Sequence, residues 1–151
     1  MSRERRIVRA PVAVGAMLAL ALAPAWAAAP SFQGELDPCP FTPATRANVA
    51  GSGTLAATLD GNTLTIAGQF TDLASPATSA HLRMGLAMGV PGAVIGELHV
   101  PHELAGTISG TVTLSPQQVA ALQRNSVYVQ IESVKAPDGN LWGWLEAPHL
   151  P

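Results

Sequence analysis

From Gly51 onward, apolar and polar residues alternate along the chain. In "TLAATL", Leu55, Ala57 and Leu59 share one face. In "TLTIAGQF", Leu64, Ile66 and Phe70 share one face, and Thr63, Thr65 and Gln69 take the other. Alternation with period two marks a strand buried on one side. Asp60-Gly61-Asn62 joins the two runs as a tight-turn sequence, so together they predict a β-hairpin. "SAHLRMG" continues with Ala80, Leu82 and Met84 apolar and His81 and Arg83 opposite. "AVIGELHV" predicts another strand, and "GTISGTVTL" alternates Ile108, Val112 and Leu114 around Gly110. The pattern breaks at "SPQQVAALQ". Ser115 can cap, Pro116 suits a first helical position, and Val119, Ala120 and Leu122 can fold back on a core. That predicts one short helix near 115–123. "SVYVQIESV" returns to strand, "APDGN" reads as a turn, and "LWGWLE" as the last strand.

Seven or eight short strands with turns at near-regular spacing predict an all-β fold, an antiparallel sandwich or barrel. The predicted core is Leu55, Leu59, Leu64, Ile66, Phe70, Leu82, Ile108, Val112, Leu114, Val127, Val129, Ile131, Leu141 and Leu145.

The chain before Gly51 reads differently. "MSRERRIVRA" carries four arginines and one acid, "PVAVGAMLALALAP" is an uncharged apolar run, and "AWAAAP" holds small residues. These are the three regions of a secretory signal, with Ala25-Trp26-Ala27 as the cleavage pattern. The apolar run ends at Pro24, short of the roughly 20 residues a spanning helix needs. The expected organisation is a signal peptide over 1–27, a proline-rich lead-in over 28–50, one domain over 51–147 and a tail over 148–151. The mature chain is expected outside the cytoplasm, periplasmic or secreted, with no membrane span. Pro38, Pro40 and Pro43 disfavour a helix and a central strand in the lead-in, leaving an extended segment that can supply an edge strand. Cys39, the one cysteine, lies between two of these prolines and is expected at the surface.

Removing the signal takes away Arg3, Arg5, Arg6, Arg9 and Glu4. What remains has four Lys/Arg against nine Asp/Glu, a net charge of −5. So few cations cannot neutralise a run of phosphates, which excludes nucleic acid as an expected partner. No serine sits in a G-x-S-x-G elbow, and the lone cysteine has no catalytic setting, so no enzyme is expected.

Taken in order, "GSGTLAATLDGNTLTIAGQFTDLASPATSAHL", "GTISGTVTLSPQQVAALQRNSVYVQIES" and "PDGNLWGWL" resemble the CHRD domain, a module first described in chordin and common in bacterial secreted proteins. The resemblance runs from about Gly51 to Leu145. The lead-in "GELDPCPFTP" departs from the family's usual segment. The resemblance implies an antiparallel β-sandwich, immunoglobulin-like or superoxide-dismutase-like, and an extracytoplasmic address. It implies no catalytic activity and no cofactor. The family's usual His-x-His pair and later His would suit a metal. Here His81 is kept, while Arg83 and Glu132 stand at the other two positions.

Two functional readings follow. In the first, the chain is a non-catalytic binding or structural module whose partner is a protein or carbohydrate surface. Trp142 and Trp144 alternate with Leu141 and Leu145, so both indoles face outward if the leucines are core, with Tyr128 near them. Arg83 and Glu132 are expected to face each other across neighbouring strands on the outer face, beside His81, as an ion pair worth roughly 0.2–1 kcal/mol. In the alternative, copper or zinc is held by His81, His99, His102 and Glu132. Arg83 opposes this, since its fixed charge would neutralise the carboxylate nearest His81.

Overall fold

The computed structural model describes residues 28–148. The predicted signal over 1–27 and the last three residues of the tail lie outside the described residues. Eight strands and one α-helix follow one another as β1 (Ser31–Pro38), β2 (Ser52–Asp60), β3 (Thr63–Thr71), β4 (Ala77–Met84), β5 (Ala93–Leu98), β6 (Gly106–Thr113), α1 (Pro116–Gln123), β7 (Val127–Ser133) and β8 (Ala136–Trp144). A single 3₁₀ turn, Arg46–Asn48, interrupts the segment between β1 and β2.

The hairpin read from "DGN" is present: β2 pairs antiparallel with β3 from Ser52↔Thr71 to Asp60↔Thr63, and Gly61 takes φ 61° in the turn. All fourteen predicted core residues are buried. The helix also forms where expected. The Ser115 hydroxyl accepts from the Gln118 N–H at 3.2 Å, and the Gln118 side chain accepts from the Ser115 N–H at 2.8 Å. This reciprocal pair satisfies donors that a helix start otherwise leaves open. Of the three residues read as facing the core, Leu122 is buried and Val119 packs against the core half-buried, while Ala121 rather than Ala120 is the buried alanine.

The sandwich expectation is corrected. The strands form one antiparallel sheet in the order β5-β4-β7-β8-β1-β2-β3-β6, curled into a nearly closed barrel. The residue pattern left sandwich and barrel both open, and the family resemblance pointed to the sandwich. The barrel follows from β1. It pairs with β2 from Ser31↔Thr58 to Leu36↔Gly53, and at its end with β8 through Asp37↔Trp142 and Pro38↔Leu141. One strand thereby joins two four-stranded halves. At the other seam β5 and β6 meet at a single bridge, His99↔Ser109, with N–H···O bonds of 2.7 and 3.1 Å. Beside it the sheet is held by side chains set against glycines. A Cβ at Gly110 would lie 2.6 Å from Leu98 Cδ2, and one at Gly96 would lie 2.6 Å from Val112 Cγ2.

The lead-in is also corrected. β1 is an interior strand with neighbours on both sides, and it buries Phe32 and Leu36 in the core. The prolines allow this because Pro38 is the last strand residue and Pro40 and Pro43 lie beyond it. A third difference concerns "APDGN". The turn between β7 and β8 is Val134–Lys135, and residues 136–140 already belong to β8. Pro137 is accommodated where β1 does not pair with β8, since their ladder begins at Leu141.

Candidate functional site

Alternation along β4, β7 and β8 sends Leu82, Val129, Ile131 and Leu141 into the core and sends His81, Arg83, Tyr128, Gln130, Glu132, Asn140, Trp142 and Trp144 to the outside of the barrel. That outer face is not open to solvent. Every residue of β7 is buried. The segment after β1 folds back over it. The Cys39 N–H donates to the Asn140 carbonyl at 2.9 Å, the Ala50 N–H donates to Asn140 Oδ1 at 3.2 Å, and Asn140 Nδ2 donates to the Ala50 carbonyl at 2.9 Å. Asn140 is fully buried and clips both ends of this cover. It drew no notice in the sequence, where it reads as a turn residue.

Under the cover lies a charged network centred on Glu132. Oε2 accepts from Ser79 Oγ at 3.0 Å and lies 3.0 Å from His81 Nδ1. Oε1 accepts from Gln130 Nε2 at 3.1 Å and stands 3.6 Å from Arg83 Nη2. Arg83 and Glu132 therefore meet, as the sequence predicted, but not as directly opposed residues. The ladder sets Ser79 opposite Glu132, His81 opposite Gln130, and Arg83 opposite Tyr128. The guanidinium reaches past two positions, and its Nη1 donates to the Gly92 carbonyl at 3.1 Å. Glu132 is buried rather than solvated, because the cover excludes water from this end of β7. Among the described residues, Arg83 Nε is the one buried side-chain polar atom without a hydrogen-bond partner.

Of the alternative metal ligands, only His81 and Glu132 come together. His99 sits exposed at the β5–β6 seam and His102 in the exposed loop that follows. Among the described residues no three His, Cys, Asp or Glu side chains converge. A tetrahedral zinc site wants three or four such ligands.

The aromatic residues form a second cluster along the same face. Tyr128 and Trp144 are opposed in the β7–β8 ladder, with ring centroids 4.3 Å apart at 34°. Trp142 stands edge-on to Tyr128 at 6.0 Å and to Trp144 at 5.8 Å. Such pairs contribute about 0.5–1.5 kcal/mol beyond area burial. Tyr128 is completely buried, its hydroxyl accepting from the Gly92 N–H at 2.9 Å. The two indoles are half-buried and keep an outward surface. Trp142 forms part of the wall of a cleft of about 640 Å³. Trp144 lines a neighbouring one of about 540 Å³.

Cys39 corrects its expected exposure: it is buried in the wall of the first cleft. It packs against Gly139, whose φ of 137° suits only glycine and where a Cβ would lie 3.0 Å from Cys39 Sγ. Burial pushes the thiol up from 9.0 to about 12. The Glu132 charge adds to the rise, and Arg83 opposes it. The reactive species is the thiolate. At pH 8, alkylation of Cys39 by iodoacetamide is expected to be slower in the folded protein than in urea by on the order of 100-fold or more. The protonated thiol favours the folded state below about pH 9, and that contribution is lost as pH rises toward 12. Rapid labelling of the folded protein at pH 8 would contradict this placement.

No helix among the described residues is long and apolar enough to cross a membrane. No curated protein and no solved structure matches the chain. The family model of the CHRD domain matches residues 32–145, which begins within β1 and so takes in the strand that closes the sheet. The chain therefore belongs to the CHRD domain family.

Proposed function

We propose that the chain acts outside the cytoplasm as a non-catalytic binding module, and that its binding face is the outer side of β7 and β8 around Trp142 and Trp144. The observation that carries this reading is the packing of the two indoles. Their orientation is held by a buried tyrosine, yet each keeps an exposed surface at a cleft. Large rings held rigidly lose little conformational freedom when a partner covers them, and this favours their use in recognition. Family membership supports a binding or structural role in general terms. The metal alternative has less support, because its ligand set is reduced to His81 and Glu132 and Arg83 already stands on the same carboxylate.

Two experiments test the proposal. N-terminal sequencing of exported protein should begin near Ala28, and recovery of the full-length chain in membranes would overturn the extracytoplasmic reading. Residues 28–151 applied to glycan and peptide arrays should give discrete binders that Trp142→Ala or Trp144→Ala weakens at least tenfold. Binders that both variants retain, or none at all, would show that the face is not the site.

A further inference from the structure

Resting on that reading, we infer that the cleft at Trp142 takes a neutral hydroxylated ring, a sugar unit of an oligosaccharide, rather than an ion or a peptide. Three features of the cleft carry this. The first is an oriented acceptor beside an aromatic wall. Gln130 lies directly opposite Trp142 in the β7–β8 ladder. Both hydrogens of its amide nitrogen are committed, one to Glu132 Oε1 at 3.1 Å and one to the Asp138 carbonyl at 3.0 Å. A flipped amide would set its oxygen against two acceptors, so the orientation is determined. Gln130 lines the cleft at 8% exposure, and its Oε1 has no hydrogen-bond partner among the described residues. Directly opposed residues on one sheet face stand about 5 Å apart. A ring stacked on the indole would therefore bring a hydroxyl within reach of this oxygen.

The second feature is charge balance. Arg83 is matched by Glu132, and at the rim Lys135 is accompanied by Asp138. The cleft offers donors and acceptors without a net charge, which suits hydroxyl groups and gives no advantage to an ion. The third feature is the backbone. At Gln130 and Trp142 both strands are paired on both sides, so a peptide finds no free edge to extend. The volume of about 640 Å³ lies in the range of small-ligand sites.

The test titrates residues 28–151 with cellohexaose, xylohexaose and mannohexaose, and with hexagalacturonate as the charged counterpart, following tryptophan fluorescence and heat. At least one neutral hexasaccharide should bind at millimolar concentration or tighter, with affinity unchanged within twofold between low and high salt. Trp142→Ala should lower it at least tenfold. Trp142→Phe, which keeps a ring, should recover part of the loss, and an unchanged melting temperature would show that both variants are folded. Binding of hexagalacturonate alone, weakening with salt, overturns the neutral-sugar assignment but leaves the binding face standing. Binding that depends on Trp142 but is confined to peptides does the same. Failure of every neutral hexasaccharide, or equal binding by Trp142→Ala, also overturns the inference. Only if the arrays too lack any ligand dependent on Trp142 or Trp144 does the proposed binding face fall with it.

Discussion

Replacing Ile131 by alanine is expected to destabilise the fold by about 2–5 kcal/mol, the range for truncating a fully buried branched side chain. Ile131 has no solvent exposure, and it sits in β7, whose two neighbours β4 and β8 both pair with it at this level through Ala80↔Ile131 and Ile131↔Leu141. The cavity left behind has strands on either side and a cover on the outer face. It cannot collapse cheaply, and the cavity cost adds to the lost transfer energy. For a domain of this size the loss should appear as a fall in melting temperature on the order of 10 °C. Val134→Ala, one residue beyond β7 at 56% exposure, should change stability by no more than about 0.5 kcal/mol. Thermal or urea unfolding of the two variants side by side checks this, and equal losses would show that the β7 register is wrong.

The second large effect is expected at Glu132. Alanine here removes the acceptor shared by Ser79, His81 and Gln130 and the counter-charge of Arg83 in a place from which water is excluded. Breaking one side of a buried charge pair commonly costs about 3–5 kcal/mol. Arg83 is a quarter exposed, and its Nη1 keeps the Gly92 carbonyl, so the lower end, about 3 kcal/mol, applies. Arg83→Ala should cost less, because Glu132 would keep three hydrogen bonds. A cycle of Glu132→Ala, Arg83→Ala and the double variant measures the coupling. If the two single losses are reversed in order, or the coupling is zero, then the ion pair at 3.6 Å does not contribute and the three hydrogen bonds alone hold the carboxylate.

Much of this arrangement is legible in the linear chain. Period-two alternation with turn residues specifies the hairpin of β2 and β3, the helix cap at Ser115 and the fourteen core positions, because a strand with one face in a core must alternate and a helix start must find acceptors for its amides. Alternation also sends Trp142, Trp144, Arg83 and Glu132 to one face. Neighbouring strands β4 and β7 do bring the two charges together.

Tertiary structure decided the rest. Closure of the sheet depends on which strands lie beside β1, and alternation within a segment carries no information about its neighbours. The burial of Cys39 and Glu132 depends on the chain after β1 returning over the outer face, clipped by Asn140, a polar residue whose side-chain partner is 90 positions away. The register offset that lets Arg83 reach Glu132 past His81 and Gln130 depends on side-chain length and lean, not on which face each residue occupies. Local pattern determines the two faces of each strand. Only long-range pairing determines what covers the outer one, and here that cover makes a charged pair buried and gives an aromatic face its cleft.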